Sequence, residues 1–503
     1  MREAFLGIDV GTSSIKCSLF SVTGQSIFTV AREYALLRPG PGMMEIADED
    51  LWGAVAATIR EITGQAAGKY EIAGAAVCAM MIMPVFLDSG NQMIRPIIHW
   101  LDERLMTQSL QLKKQGKDAV LARTSGSLLT GEGTVNAVAW LQEREPEAYR
   151  KLAKFCMIKD LVRYHLTGRL GTDYGDASGS LLLETRNWKW NEEAAREFGI
   201  PDSAFPDLLR AAEVAGRVSR EAAAQTGLKE GTPVAAGSGD GITTILGLGV
   251  IEDGQVGITV GSAGVVGIAS SQFPEDTLHR NYIFCHPIAD RWYSVMATAA
   301  SGEVLKWYKT NIVRDDKYSY SDLDAEASRA PLEAGGVLFL PYILGSRNPH
   351  GNPTATGVFA GLRHMHNRDH LSRALMEGIL FELLDLVSVQ REILQAKPAG
   401  NSSAKLSGGI VRSRFWTQML ADVLGLDIGL TEVDELGTLG CAIMAATAVG
   451  AYRSIQDAVA GMVKDREVVG FDRDKHEVYR RKFEVFRKLY KLLETEFILL
   501  RER

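Results

Sequence analysis

Cysteine and proline are sparse in this chain of 503 residues, at five and 15. Cys17, Cys78, Cys156, Cys285 and Cys441 are dispersed, odd in number and never in a Cys-x-x-Cys pair. That pattern excludes a disulfide framework or a thiolate zinc site and fits a reducing cytoplasm, with each thiol a small buried hydrophobe. A basic surplus is missing too: 55 Lys and Arg stand against 62 Asp and Glu, a net charge of −7. Without basic blocks, nucleic acid is a poor candidate partner. Apolar runs are short. The longest, Ile72 to Leu87, is broken by Gly74 and Pro84 and falls below the ~18 residues of a membrane span. The N-terminus enters a strand-like segment bearing Asp9 rather than a signal peptide. Also absent are a GxxxxGK[ST] loop, a GxGxxG between strand and helix, and a GxSxG elbow, so P-loop, dinucleotide and serine-hydrolase chemistry lack their main signals. A cytoplasmic protein with no membrane or nucleic-acid partner is expected.

Glycine, by contrast, is abundant. Fifty glycines make about 10% of the chain, above the ~7% average. With no repeat or low-complexity run to absorb them, they belong in turns and close approaches. The remaining composition, 46% hydrophobic and 23% charged, is that of a globular protein, and the length allows roughly two to four domains.

Periodicity predicts a hairpin of strands at residues 4–10 and 15–20, a third strand over 26–32, and a helix over 49–63 capped by Asp48. A buried strand follows over 72–81, and a single helix is predicted over 146–166, ended by Gly168. From Pro233 to Ser270 three apolar runs are punctuated by glycine, the last again reading strand, Gly-Ser turn, strand. The chain thus reads as two halves, each opening on a hairpin with a small-residue tip. Helices are predicted over 370–395, on the spacing of Leu371, Leu375, Ile379 and Leu383, and over 475–503, the latter a solvated charged face. Alternating strands and helices in both halves indicate an α/β protein of two lobes.

Five glycine clusters organise the chemistry. In GIDVGTSSIK (Gly7–Lys16) a strand ends in Asp9 and a Gly-Thr-Ser-Ser turn follows. Such a turn offers backbone amides and hydroxyls to a phosphate chain, while Asp9 suits Mg2+ held through waters. The same segment also reads as an ordinary hairpin with an acid at its mouth. In GSGDG (Gly237–Gly241), Asp240 at a tight turn is either a turn former or a base able to reach a hydroxyl in a crowded cleft. Gly261-Ser262-Ala263-Gly264 is suited to close on phosphates from the other lobe. Ser407-Gly408-Gly409 ends a short strand and offers bare backbone to a base or ribose. Gly437-Thr438-Leu439-Gly440 precedes a small-residue helix. Together the clusters describe a nucleotide held between two lobes. His364, His366 and His370 have no acid or cysteine to complete a zinc set and read as solvated.

These segments, with WLDER (Trp100–Arg104), IKDLVRYHLTGRLGTDYGDASGS (Ile158–Ser180), LPYILGSRNP (Leu340–Pro349), GVFAGL (Gly357–Leu362) and LSGGIVRSRFWTQMLADVLG (Leu406–Gly425), resemble the FGGY family of carbohydrate kinases. The resemblance runs in order from Gly7 to about Ala446 and is nearest to xylulokinase-like members. It implies two actin-like, ribonuclease H-like lobes, 1–245 and 246–503, with a cleft between them and the C-terminal helix packing back across the lobes. The first lobe would bind sugar and phosphates, the second adenosine. Asp240 would be the base toward the sugar hydroxyl and Asp9 the Mg2+ residue. ATP would be held by Gly11, Thr12, Ser13, Lys16, Gly261, Ser262, Gly408, Gly409 and Arg412. Met81, Ile82, Trp100 and Asp102 would line the sugar pocket beside Asp240, although Trp100 and Asp102 also read as packing and helix capping.

The chain departs from the xylulokinase pattern chiefly around the sugar. Met80-Met81-Ile82-Met83 stand where Gln-Met-His is expected, Gly241 where Asn follows the base, Asn136-Ala137 for Pro-Lys, and Gly345-Ser346-Arg347 for Gly-Glu-Arg. A site that reads hydroxyls discriminates through paired polar groups, so a less hydroxylated or differently oriented acceptor enters alongside xylulose, and the Met-rich strand also reads as core. The expected function is an ATP- and Mg2+-dependent sugar kinase acting on a ketose, polyol or sugar acid, with a homodimer left open. A non-catalytic nucleotide-dependent regulator and a chaperone-like ATPase are the competing readings.

Overall fold

In the computed structural model, which describes residues 1–131, 133–395 and 403–501, the opening strands pair as the alternation of apolar residues demands. Arg2–Val10 runs antiparallel to Ser14–Ser21, which runs antiparallel to Ser26–Glu33. On its other edge Arg2–Val10 pairs in parallel with Tyr70–Ala79, after the crossover helix Asp48–Ala66. Pro233–Ala235 and Val214–Arg217 complete the sheet beyond. One face is closed by the helix Asp48–Ala66, whose Leu51, Val55, Ile59 and Ile62 are buried. The helix Leu436–Ala448 packs on Arg2–Val10 and Tyr70–Ala79.

By packing, the chain divides into two units that are discontinuous in sequence. The first comprises Met1–Ile251, Ser271–Tyr293 and Glu435–Lys464, and the second Glu252–Ser270, Ser294–Asp434 and Asp465–Arg503. The second unit has its own sheet, in which Gly264–Ser270, Val256–Val260, Ser403–Gly408, Asp427–Thr431 and Asp465–Val469 are successive neighbours. Val256–Val260 is antiparallel to Gly264–Ser270 and parallel to Ser403–Gly408. This is the connectivity of the first unit's hairpin and parallel neighbour. The two-halves reading of the sequence therefore has a counterpart in each sheet. A 26-residue helix, Arg368–Ile393, runs through this unit's core.

Four local expectations need correction. The helix predicted over 146–166 is interrupted: Pro146–Tyr149 is a single turn, Lys154–Met157 is a strand paired with Pro84–Leu87, and the helix proper is Ile158–Thr167. Asp48 is the first residue of its helix rather than its cap, and its carboxylate meets His165 Nε2 at 2.7 Å. Gly437–Gly440 lies inside the small-residue helix rather than before it. The C-terminal helix, expected over 475–503 and across both lobes, is instead Arg473–Leu493 and lies against Arg414–Leu424 and Arg368–Ile393 of the second unit. Its charged face is solvated, but Tyr479, Phe483, Phe486 and Tyr490 are buried in that unit's core. No described helix is long and apolar enough to cross a membrane.

Candidate active site

The register of three strands brings the two singled-out acids together. Asp9 lies opposite Lys16 on one side and Cys78 on the other, and Cys78 lies opposite Ser238 in the short strand Ser238–Gly239. Asp9 and Ser238 thus occupy one row at the ends of their strands, adjacent strands being ~4.8 Å apart. The chain then turns into the helix Asp240–Gly247, with Asp240 as its first residue. GSGDG is therefore a strand-to-helix junction rather than a tight turn. A carboxylate on the first turn meets the positive end of the helix. Asp240 Oδ1 accepts from the Gly241 amide at 2.7 Å, and the Met81 amide also supports the carboxylate. Burial, and then the charge of Asp9, push its pKa up to about 7 against those two amides. Burial likewise raises Asp9, opposed by Cys78 and Lys16.

Lys16 does not stand alone: its Nζ is 2.5 Å from Glu435, just ahead of the helix Leu436–Ala448. That helix comes so close that a Cβ on Gly437 would lie 3.1 Å from Asp9 Oδ2. Glu435 was not singled out from the sequence, and only its place before the small-residue helix could have signalled it.

The phosphate-type turn at Gly11–Ser13 is braced from behind. The Tyr34 hydroxyl donates to the carbonyls of Gly11 (2.8 Å) and Thr12 (3.1 Å), and the Tyr34 amide donates to Ser13 O at 3.2 Å. His99 Nε2 lies 3.3 Å from Thr12 O. With its carbonyls engaged there, the turn presents its other side, and Ser13 is exposed. Tyr34 and His99 are supporting residues that the sequence reading missed.

The second unit repeats the device. Gly261 and Ser262 are exposed at the hairpin tip, with their carbonyls accepting the amides of Gly302 (2.9 Å) and Ser301 (2.7 Å). Gly408 ends the neighbouring strand opposite Val260. Its φ of +93° and a would-be Cβ only 2.2 Å from Val260 O leave room for glycine alone. Gly409 opens on free space, and Arg412 ends the short helical turn Gly409–Arg412 with its side chain exposed.

The predicted sugar residues divide. Met81 packs over Gly239 and Gly241 on either side of Asp240, and Ile82 follows with φ +61°, rare for a β-branched residue. Trp100 is 40% exposed and stacks on His99. Asp102 is buried and committed elsewhere: it caps the helix Glu103–Lys114, pairs with Arg104 at 2.7 Å and accepts the Met44 amide at 2.7 Å. Burial works against its charge, but Arg104 and those amides hold its pKa below the usual carboxylate value. Its visible role is capping. His366 and His370 engage Gly335 O and Asn367, respectively.

Comparison with known proteins identifies the family. The model of the N-terminal domain of the FGGY family of carbohydrate kinases matches residues 4–247, and that of the C-terminal domain matches 257–449. A xylulose kinase of Staphylococcus epidermidis is 29% identical over 98% of this chain and 97% of its own. A gluconokinase of Bacillus subtilis is 28% identical, over 99% and 97%. The crystal structure of the xylulose kinase of Rhodospirillum rubrum superposes with a TM-score of 0.91 at 28% identity, covering 98% of this chain and 99% of that one. These relatives are kinases, which leaves the regulatory and chaperone readings without support. The chain belongs to the FGGY family of carbohydrate kinases and is an ATP-dependent sugar kinase of two actin-like α/β domains.

Proposed function

We propose that this kinase passes the γ-phosphoryl group of ATP to a hydroxyl of a small ketose, xylulose first, with Asp240 as the base. The observation behind this is the setting of Asp240: a helix-start carboxylate held by two amides, with a pKa of about 7. A general base works best with a pKa near the operating pH. The hydroxyl proton passes to Asp240 as the oxygen attacks phosphorus, so no free alkoxide need form. Phosphoryl transfer otherwise asks for positioning and charge stabilisation. The turns at Gly11–Ser13 and Gly261–Ser262 supply amides for phosphates, Lys16 a cation, and Gly408, Gly409 and Arg412 a surface for adenosine. In this assignment residues 1–245 handle sugar and phosphates, and 246–503 handle adenosine and add the phosphate turn Gly261–Ser262.

Asp9 fits Mg2+. Its Oδ1 is buried without a hydrogen-bond partner, and among the described residues no three His, Cys, Asp or Glu side chains converge as a metal cage. Mg2+ is commonly held by one or two carboxylates, with water and phosphate completing the shell. Bound there, the ion would neutralise charge on the phosphates.

The acceptor follows from the relatives and the turn at Met81-Ile82. Xylulose and gluconate are the sugars named for them, while Met81 and Ile82 offer apolar side chains where hydroxyls would need partners. A coupled ADP-release assay across xylulose, gluconate and polyols tests this. Xylulose should stimulate release most. Silence across the panel despite measurable ATP binding would overturn the acceptor class.

Two further expectations arise here. In the ligand-free protein, a carbon-13 NMR titration of Asp240 should show a midpoint near 7. Asp9→Asn removes a neighbouring negative charge and should lower that midpoint, while burial keeps it above an ordinary carboxylate. Because the base acts deprotonated, activity governed by this group should fall about tenfold per pH unit below 7 and level off above it. Tyr34→Phe deletes only the hydroxyl behind the phosphate turn. At about 1 kcal/mol for a net hydrogen bond, ATP binding measured by calorimetry should weaken roughly fivefold; unchanged affinity would remove the turn from the phosphate site.

A further inference from the structure

The segment Ile158–Ser180 contains a fully buried charge cluster that the chemistry above does not use. Lys159, Asp160, Arg163, Asp173 and Asp176 are each at most 1% exposed. Lys159 Nζ lies 2.5 Å from Asp160, 3.0 Å from Asp173 and 3.9 Å from Asp176, and Arg163 lies 3.2 Å from Asp160. Burying five ionisable groups is costly unless a fixed geometry repays it.

Of the bonds that leave the cluster, three reach chain next to Asp240. Arg163 Nη1 donates to Ala236 O at 2.9 Å. The Ser238 hydroxyl donates to Asp173 Oδ2 at 2.6 Å. Asp176 Oδ1 accepts the Ile82 amide at 3.4 Å, and the residue before Ile82, Met81, lends its own amide to Asp240. The helix Tyr174–Gly179 seats so closely on this junction that a Cβ on Gly175 would lie 2.5 Å from Ser238 Oγ.

Resting on Asp240 as the base, we propose that this cluster is its positioning frame. Asp173 acts through Ser238, and Asp176 acts through the Met81-Ile82 turn. The two acids differ in their surroundings. Asp173 accepts from Lys159, Ser238 and the amides of Gly175 (2.9 Å) and Asp176 (3.3 Å), the surroundings of an ionised carboxylate. Asp176 has its Oδ2 buried without a hydrogen-bond partner. Burial, with Asp173 and Asp160 alongside, raises its proton affinity against the pull of Lys159. With Asp176 neutral, the two cations balance Asp160 and Asp173. Asparagine is then an electrically equivalent replacement at 176 but not at 173.

Amide hydrogen exchange and steady-state kinetics on the full-length enzyme test the frame. Asp176→Ala should speed exchange of the Ile82 and Met81 amides at least tenfold, leaving amides of the strand Arg2–Val10 unchanged. It should lower kcat at least tenfold on whichever sugar the acceptor panel yields, with the KM for ATP within twofold. Asp176→Asn should restore both within about threefold, whereas Asp173→Asn should not. Should Asp176→Ala fail to fold, Ser238→Ala, which removes one hydroxyl, should speed Gly241 exchange and lower kcat in the same way. Folded variants with unchanged exchange and kcat would overturn the proposal, as would Asp176→Asn failing as badly as Asp176→Ala. The exchange readout needs no sugar, so it separates failure of the frame from failure of Asp240 as base, which Asp240→Asn reports.

Discussion

Asp240→Asn should lower kcat for sugar phosphorylation by 10² to 10⁴, the usual contribution of a positioned general base. At about 1.4 kcal/mol per decade this is roughly 3–5.5 kcal/mol of barrier. Asparagine keeps the size of the side chain and an oxygen to accept the Gly241 amide, so the junction should hold its shape. ATP binding should change by less than about threefold, because Asp240 is assigned to the acceptor hydroxyl and not to the phosphates. Loss of kcat at constant ATP affinity is the signature of an interaction made at the reacting centre. Turnover within tenfold of wild type would remove the base assignment and leave the transfer to positioning alone. Asp9→Asn offers the contrasting case. Its effect should appear in the Mg2+ concentration needed for half-maximal rate, and this separates the two acids although both lie along one end of the same sheet.

The sequence made one half of this site readable and hid the other. Asp9 and the Gly11–Ser14 turn were legible because local patterning alone sets a hairpin, and the acid falls one residue before the end of its first strand. Asp240 was legible as an acid among glycines, but not as a helix start. The run Ile242–Gly247 is apolar without clear period, and only its packing on Leu436–Ala448 selects helix. Lys154–Met157 was read as helix because its strand partner lies about 70 residues earlier. Tyr34 and His99 carried no signal: each acts through a carbonyl of a distant turn, and carbonyls have no residue type. Asp102 carried two readings, sugar contact and helix cap, and its bonds to Arg104 and the Met44 amide display the cap. The charges of Ile158–Ser180 were visible as part of a motif. Their meaning depended on Ser238, 65 residues on, which no spacing rule connects to them.

Gly440→Ala should be strongly destabilising for a single added methyl group in the first unit. A Cβ there would fall 2.1 Å from the backbone oxygen of Thr243 in the helix that begins at Asp240. The contact is one of three. A Cβ on Gly247 would lie 2.2 Å from Leu436 O, and one on Gly7 would lie 2.1 Å from Thr438 O. In each case the obstacle is main chain, which no rotamer change can clear. The helix Leu436–Ala448 is thus seated against both the strand that ends in Asp9 and the helix that starts at Asp240. Overpacking a core typically costs about 1–3 kcal/mol, and a rigid backbone obstacle places this substitution at or above the upper end. At roughly 2–4 °C per kcal/mol for a domain of this size, Tm should fall by about 6–12 °C. Gly53→Ala is the control. Gly53 is exposed inside the helix Asp48–Ala66, and its Cβ would find nothing within 4 Å, so helix propensity alone should raise stability by up to about 1 kcal/mol. Activity adds a second reading. Moving the Leu436 helix shifts Gly437 away from Asp9 and Glu435 away from Lys16, so residual Gly440→Ala enzyme, assayed well below its Tm, should also show weakened ATP binding. A variant with wild-type Tm would mean that this helix is not seated where the three glycines put it.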